Sequence, residues 1–143
     1  MQQPARTHPS CRPATVADAP AVVALWREAE AEQTHTDDEG SVRRLIERDP
    51  AALIVAEADG RLVGSVIAGW DGWRGSIHRL AVVPSHRRRG LGGRLVRLAE
   101  ERLAAAGAVR YQAIVVETDR QATAFWQAIG WQQQTERLRF VKG

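Results

Sequence analysis

Lysine, cysteine and tyrosine each occur once in the 143 residues, as Lys142, Cys11 and Tyr111. A single cysteine excludes an internal disulfide. With no C-x-x-C pair, a structural zinc site is not expected either. Cys11 reads as an incidental thiol near a loose start, and no metal is anticipated anywhere. The opening MQQPARTHPS lacks the apolar stretch of a secretory signal, and no run approaches membrane-spanning length. The reading is therefore cytoplasmic, with no membrane partner. The positive charge is almost all arginine and leaves a net +3. Arginine suits bidentate phosphate binding, although codon bias alone gives the same lysine deficit. So mild a charge fits nucleic acid, a phosphorylated cofactor or neither.

The length suits one domain with a real core. Residues 1–10 read as a flexible tail and 11–143 as the domain. CRPATV (11–16) reads as a first strand. Asp18 and Pro20 open a helix in which Val22, Leu25, Trp26 and Ala29 recur at helical spacing. SVRRLIERD (41–49) predicts a second, short helix stopped at Pro50. ALIVAEADGRLVGSVIAG (52–69) reads as two strands joined at ADG, and SIHRLAVV (76–83) as a third. From Gly92 a helix follows, with Leu95, Leu98, Ala99 and Leu103 on one face and Gly107 as its C-cap. VRYQAIVVE (109–117), RQATAFWQAI (120–129) and WQQQTERLRFV (131–141) complete the chain as strand, helix and strand. The order β-α-α-β-β-β-α-β-α-β implies an α/β fold, a mixed sheet with helices on both faces.

The stretch LAVVPSHRRRGLGGRLV (80–96) packs a strand end, three arginines, glycines and a helix start together. The first amides of a helix have no intrahelical partner, the helix dipole favours negative charge there, and glycine lets a ligand approach the backbone. A diphosphate is the natural guest. The nucleotide P-loop GxxxxGK[ST] is absent, and the dinucleotide GxGxxG fails because Leu95 stands where its third glycine belongs. A nucleic-acid role for Arg87, Arg88 and Arg89 has no aromatic-interleaved basic face or recognition helix behind it.

Arg87-x-x-Gly90-x-Gly92, following LAV-x-P, resembles the pyrophosphate loop of the GNAT superfamily of acyl-CoA-dependent N-acyltransferases. ATAFWQAIGW (122–131) is similar to that family's A-x-x-FY-x-x-x-GF. RPATVADAP and ADGRLVGSV also look like the family's sequence, so the resemblance spans about 11–141. WDGWRG (70–75) resembles the G-x-D-G-x-R-G segment of a bacterial subgroup. The resemblance implies a GNAT fold, acetyl-CoA as co-substrate, a primary amine as acceptor (a small molecule, or a protein N-terminus or lysine) and no metal. Homodimers are common in the family. A GNAT-like module that binds acyl-CoA without turning it over is the alternative.

By the same resemblance, Arg87, Arg88, Arg89, Gly90, Leu91, Gly92 and Gly93 cradle the CoA pyrophosphate, with Arg88 and Arg89 within reach of the 3′-phosphate. Leu80, Ala81 and Val82 pair with the amide-bearing arm of CoA, and a bulge amide near Ala81 or Val82 faces the thioester carbonyl. As buried strand residues they need have no such role. A base must free the amine. His78 is the first candidate, placed on the same strand face as Leu80, because histidine titrates near pH ~6.5. Glu117 is the second. Asp71 and Arg74 either line an acceptor pocket or shape a turn. Trp70 and Trp73 wall a substrate site or make a dimer contact, whereas Trp26 and Trp131 look like core. Two departures stand out. Trp126 replaces the tyrosine that often protonates the leaving thiolate, and Asp119 replaces an asparagine that contacts CoA. A thiol pKa of ~8.5 makes thiolate a tolerable leaving group without a dedicated acid.

Overall fold

In a computed structural model, residues 8–29, 34–116 and 118–143 are described. The chain divides after Gln112 into two units, which are taken in turn.

The first unit is built on a sheet whose strands lie side by side in chain order: β1 (Ser10–Pro13), β2 (Leu53–Ala58), β3 (Arg61–Trp70), β4 (Gly75–Val82) and β5 (Tyr111–Ala113). The first four are antiparallel neighbours. Asp59 and Gly60, both at positive φ (52° and 77°), make the two-residue turn between β2 and β3. Gly75 N–H donates to Arg110 O (3.0 Å) and Gln112 meets Ser76. Both contacts ascend together, so β5 runs parallel to β4 and the sheet is mixed. The first strand begins at Ser10, inside the stretch expected to be a tail, and Cys11 lies within it, opposite Ala56. Burial raises the Cys11 thiol pKa.

Helices cover both faces of this sheet. α1 (Ala19–Glu28) buries Val22, Leu25 and Trp26 as its spacing predicts. Asp18 does not cap α1 with its side chain. Its carboxylate takes the Thr15 N–H (2.7 Å) and Arg12 (2.7 and 3.0 Å) instead. α2 (Glu39–Arg48) starts two residues earlier than expected, because Asp38 caps it through Ser41 N–H (2.7 Å). α3 (Leu91–Ala106) lies on the opposite face and ends at Gly107, φ 112°. Leu91, Leu95, Val96, Ala99 and Leu103 are buried; Leu98, expected on that face, is only half-buried. Helix and sheet meet closely at Gly64, where a Cβ would stand 3.0 Å from Leu95 Cδ1.

In the second unit α4 (Arg120–Ala128) is capped by Asp119, whose Oδ1 accepts Ala122 N–H (3.0 Å), and Gly130 turns the chain out at φ 93°. Trp126 meets Trp131 edge-on at 4.7 Å and Phe125 at 5.5 Å. Trp131, expected in the core, is half-buried. The strand expected at 109–117 shortens to β5, and the closing strand expected at 131–141 is absent. Strand length is set by a partner ladder that an apolar run such as AIVV cannot announce. The polar run Gln132 to Arg137 offers no inward face, and Leu138, Phe140 and Val141 stand exposed.

Candidate active site

Beyond β4 the chain passes Val83, makes a 3-10 turn at Pro84–His86 and enters Arg87 extended. Arg88 (φ 62°) and Gly90 (φ 80°) are left-handed, and Gly90 is the N-cap of α3. A Cβ at Gly90 would meet nothing within 4 Å, so the glycine serves the dihedral and not the space. No side chain caps this helix and no acidic residue lies in its first turn. The helical ladder begins with Arg94 N–H to Gly90 O (3.1 Å), which leaves the amides of Leu91, Gly92 and Gly93 without an intrahelical acceptor. A Cβ at Gly93 would also meet open space. Buried Leu91 anchors the turn while Arg88 and Arg89 stand exposed beside it. Chemically, such a cradle suits an anion.

Arg87 departs from the expectation in one respect. Its Nε donates to Val82 O (2.9 Å) and its Nη2 to Ala29 O (3.0 Å). The side chain therefore braces the cradle against the end of α1, and only its backbone belongs to the loop. A cavity of about 290 Å³ opens beside the cradle, lined in part by His8, His86, Arg89 and Arg94. The larger cavity, about 330 Å³, lies by α1 and the β2–β3 turn. Its charges pair among themselves, Arg12 with Asp18 and Glu57 and Arg61 with Glu28.

The strand leading to the cradle is bulged. Ser65 pairs with Ala81 and Ile67 with His78, so β4 spends three residues where β3 spends two. The extra residue lies at Arg79–Leu80, earlier than the expected place near Ala81 or Val82, and Arg79 has φ 50°. The Arg79 carbonyl accepts Ser65 Oγ–H (2.8 Å). The peptide is planar and trans, so the Leu80 N–H points the opposite way, away from Ser65. A bulge re-aims groups in this manner. It also breaks the two-residue alternation. His78 shares its face with Ala81, across from Ile67 and Ser65, and not with Leu80 as period two would have it. Val82, opposite Gly64, lies on the α3 face.

His78 is exposed. Glu117, the other base candidate, lies outside the described residues. Asp71 shapes a turn, because its Oδ1 accepts both Trp73 and Arg74 N–H at 2.7 Å. These two bonds, Arg74's the larger, hold its carboxyl pKa below the ordinary value. Arg74 stacks on exposed Trp73 at 4.2 Å. Asp119 is committed to capping α4, which a carboxylate does as well as an asparagine. Trp126 packs among aromatic rings and has no O–H to give. Tyr111 reaches Ala108 O at 3.5 Å. Ser65, Arg79 and Asp37 converge on the bulge, and no sequence motif marks them.

A family model described as the acetyltransferase (GNAT) family matches residues 20–131. An acetyltransferase of Pectobacterium atrosepticum is 37% identical over 70% of this chain and 71% of its own. One of Yersinia pestis is 32% identical over 79% and 80%. Among solved structures, a paiA N-acetyltransferase of Thermoplasma acidophilum in complex with coenzyme A superposes with a TM-score of 0.80 at 15% identity, covering 90% of this chain and 92% of that one. An AAC(6′)-Iy structure with a bisubstrate analogue gives 0.77 at 18% identity, over 96% and 99%. At such identities the structures speak for the fold, whereas the family model spans most of the chain: this protein belongs to the GNAT acetyltransferase family.

Proposed function

We propose that the protein is an N-acetyltransferase that moves the acetyl group of acetyl-CoA to a primary amine by direct attack in a ternary complex. The observation that carries this reading is the uncapped start of α3, approached through left-handed Arg88 and Gly90 with Arg88 and Arg89 exposed beside it. Such a cradle suits the CoA diphosphate. Leu80, Ala81 and Val82 then run alongside the amide-bearing arm, and Arg88 or Arg89 meets the 3′-phosphate.

The amine nitrogen attacks the thioester carbonyl carbon, and negative charge gathers on the carbonyl oxygen. The Leu80 N–H, turned outward by the bulge, is the donor for that oxygen. The C–S bond breaks, CoA leaves as thiolate, and the nitrogen gives up its proton to a base. His78 is that base in this reading, directly or through a water, with Glu117 the other candidate. Solvent protonates the thiolate, in keeping with tryptophan at position 126. That same tryptophan favours the second reading, a module that binds acyl-CoA without turnover.

The test is calorimetric titration with acetyl-CoA and dephospho-CoA, on the wild type and on Gly92→Glu. The variant puts bulk and like charge into the cradle, so affinity should fall at least ~100-fold, with wild type preferring acetyl-CoA to dephospho-CoA. A wild type that binds neither ligand overturns the reading. Saturable binding with no turnover across a broad amine panel selects the silent module.

A further inference from the structure

Four side chains outside the cradle converge on the bulge from the α1 side of the sheet. Trp26 Nε1–H donates to Ser65 Oγ at 3.0 Å. An indole nitrogen can only donate, so it occupies a lone pair of the hydroxyl and leaves the hydroxyl proton for another acceptor. That acceptor is the Arg79 carbonyl, at 2.8 Å. The chain of bonds thus has one direction, indole to hydroxyl to carbonyl. Ser65 is fully buried and Trp26 nearly so, which leaves little room for water to compete. The side chain of residue 79 is held as firmly. Its Nε donates to Asp37 Oδ1 at 2.8 Å and its Nη2 to Asp37 Oδ2, while its guanidinium lies 5.6 Å over the Trp26 ring. Asp37 is itself buried and takes two more donors, the N–H and hydroxyl of Thr34. The left-handed backbone of Arg79 within a strand is a strained conformation, and these contacts hold it in place.

We infer that Ser65 is a positioning residue for thioester activation. By holding the Arg79 carbonyl it turns the Leu80 N–H toward the thioester oxygen, and Asp37, through the Arg79 side chain, is the second tether. The inference rests on the reading that the bulge meets acetyl-CoA. If Ser65 served only to satisfy Trp26 in the core, its loss would lower stability and leave the bound thioester unchanged.

The experiment is isotope-edited infrared spectroscopy of acetyl-CoA carrying ¹³C at the thioester carbonyl, bound to folded wild type, Ser65→Ala, Trp26→Phe and Asp37→Asn. An aimed donor weakens the carbonyl bond and lowers its stretching frequency. Ser65→Ala should keep acetyl-CoA affinity within about threefold yet lose about half or more of the wild-type shift. Trp26→Phe, which leaves the serine proton on Arg79, should keep most of it. Asp37→Asn should lose part, and it remains informative should Ser65→Ala fail to fold. A full wild-type shift in folded Ser65→Ala overturns the proposal, as does a full shift in Asp37→Asn for the second tether. Wild type that binds acetyl-CoA without any shift, or does not bind it, overturns the underlying reading instead.

Discussion

Among the described strand residues, only Arg79 has a left-handed backbone. For a residue with a Cβ this conformation costs ~1–2 kcal/mol. Two substitutions separate that cost from the contacts. Arg79→Gly and Arg79→Ala both strip the ion pair from Asp37, whose side chain is only 4% exposed, so both should be less stable than wild type. Glycine carries no left-handed penalty, and Arg79→Gly should exceed Arg79→Ala by about 1 kcal/mol in urea unfolding. Equal stabilities would mean that position 79 relaxes once the arginine is gone. His78 poses the opposite case, an exposed side chain whose proposed work is chemical. The test variant is His78→Ala, shown to be folded by its thermal melt. With any accepted amine its turnover should fall about 100-fold while acetyl-CoA affinity holds. Undiminished turnover removes His78 from the mechanism.

At the scale of elements, two glycines of similar appearance divide cleanly. A Cβ at Gly75 would sit 2.8 Å from Leu103 Cδ1 and 2.9 Å from Tyr111 Cδ1, so Gly75→Ala overpacks the sheet against α3 and should cost ~1–3 kcal/mol. Gly93 faces open space within a helix. There alanine should raise unfolding stability by ~0.5–1 kcal/mol while weakening acetyl-CoA binding. Thermal melts with and without ligand read both signs at once. This division also explains what the sequence could disclose. The cradle needs glycine and arginine at fixed spacing within one strand–turn–helix unit, so RRRGLGG announces it. The bulge needs no glycine. It is held by partners 14 and 42 positions away, Ser65 and Asp37, and no local pattern encodes such pairs. The helices appear where periodicity places them, although α2 and α3 start a residue or two early and Asp18 does not cap α1. The strands hold wherever an apolar run has a partner, as 52–69 does, and fail where WQQQTERLRFV finds none among the described residues.

Across the whole molecule, charge enters stability chiefly where distant segments are pinned together. Arg12 of β1 binds Asp18 before α1 and Glu57 of β2 (3.1 Å). Arg12, and next the Thr15 donors, lower the Asp18 pKa from 3.8 to about 2. A carboxylate with a depressed folded pKa stabilises fully above its unfolded value, and that contribution drains away as pH falls through the folded one. Wild type should therefore be more stable than Asp18→Asn at pH ~6, by about 1 kcal/mol, with the two curves converging between pH ~4 and ~2. Acid titration of the urea midpoint measures this, and parallel curves would remove Asp18 from the account. The indole of Trp26 carries a different kind of consequence. Its nitrogen-bound hydrogen sits in a nearly sealed interior, donated to a serine that is itself committed to the bulge. Exchange of that hydrogen with deuterated water requires the sheet and α1 to part. In a spectrum of five indoles, the last signal to fade should be Trp26, a built-in clock for how often the bulge comes loose.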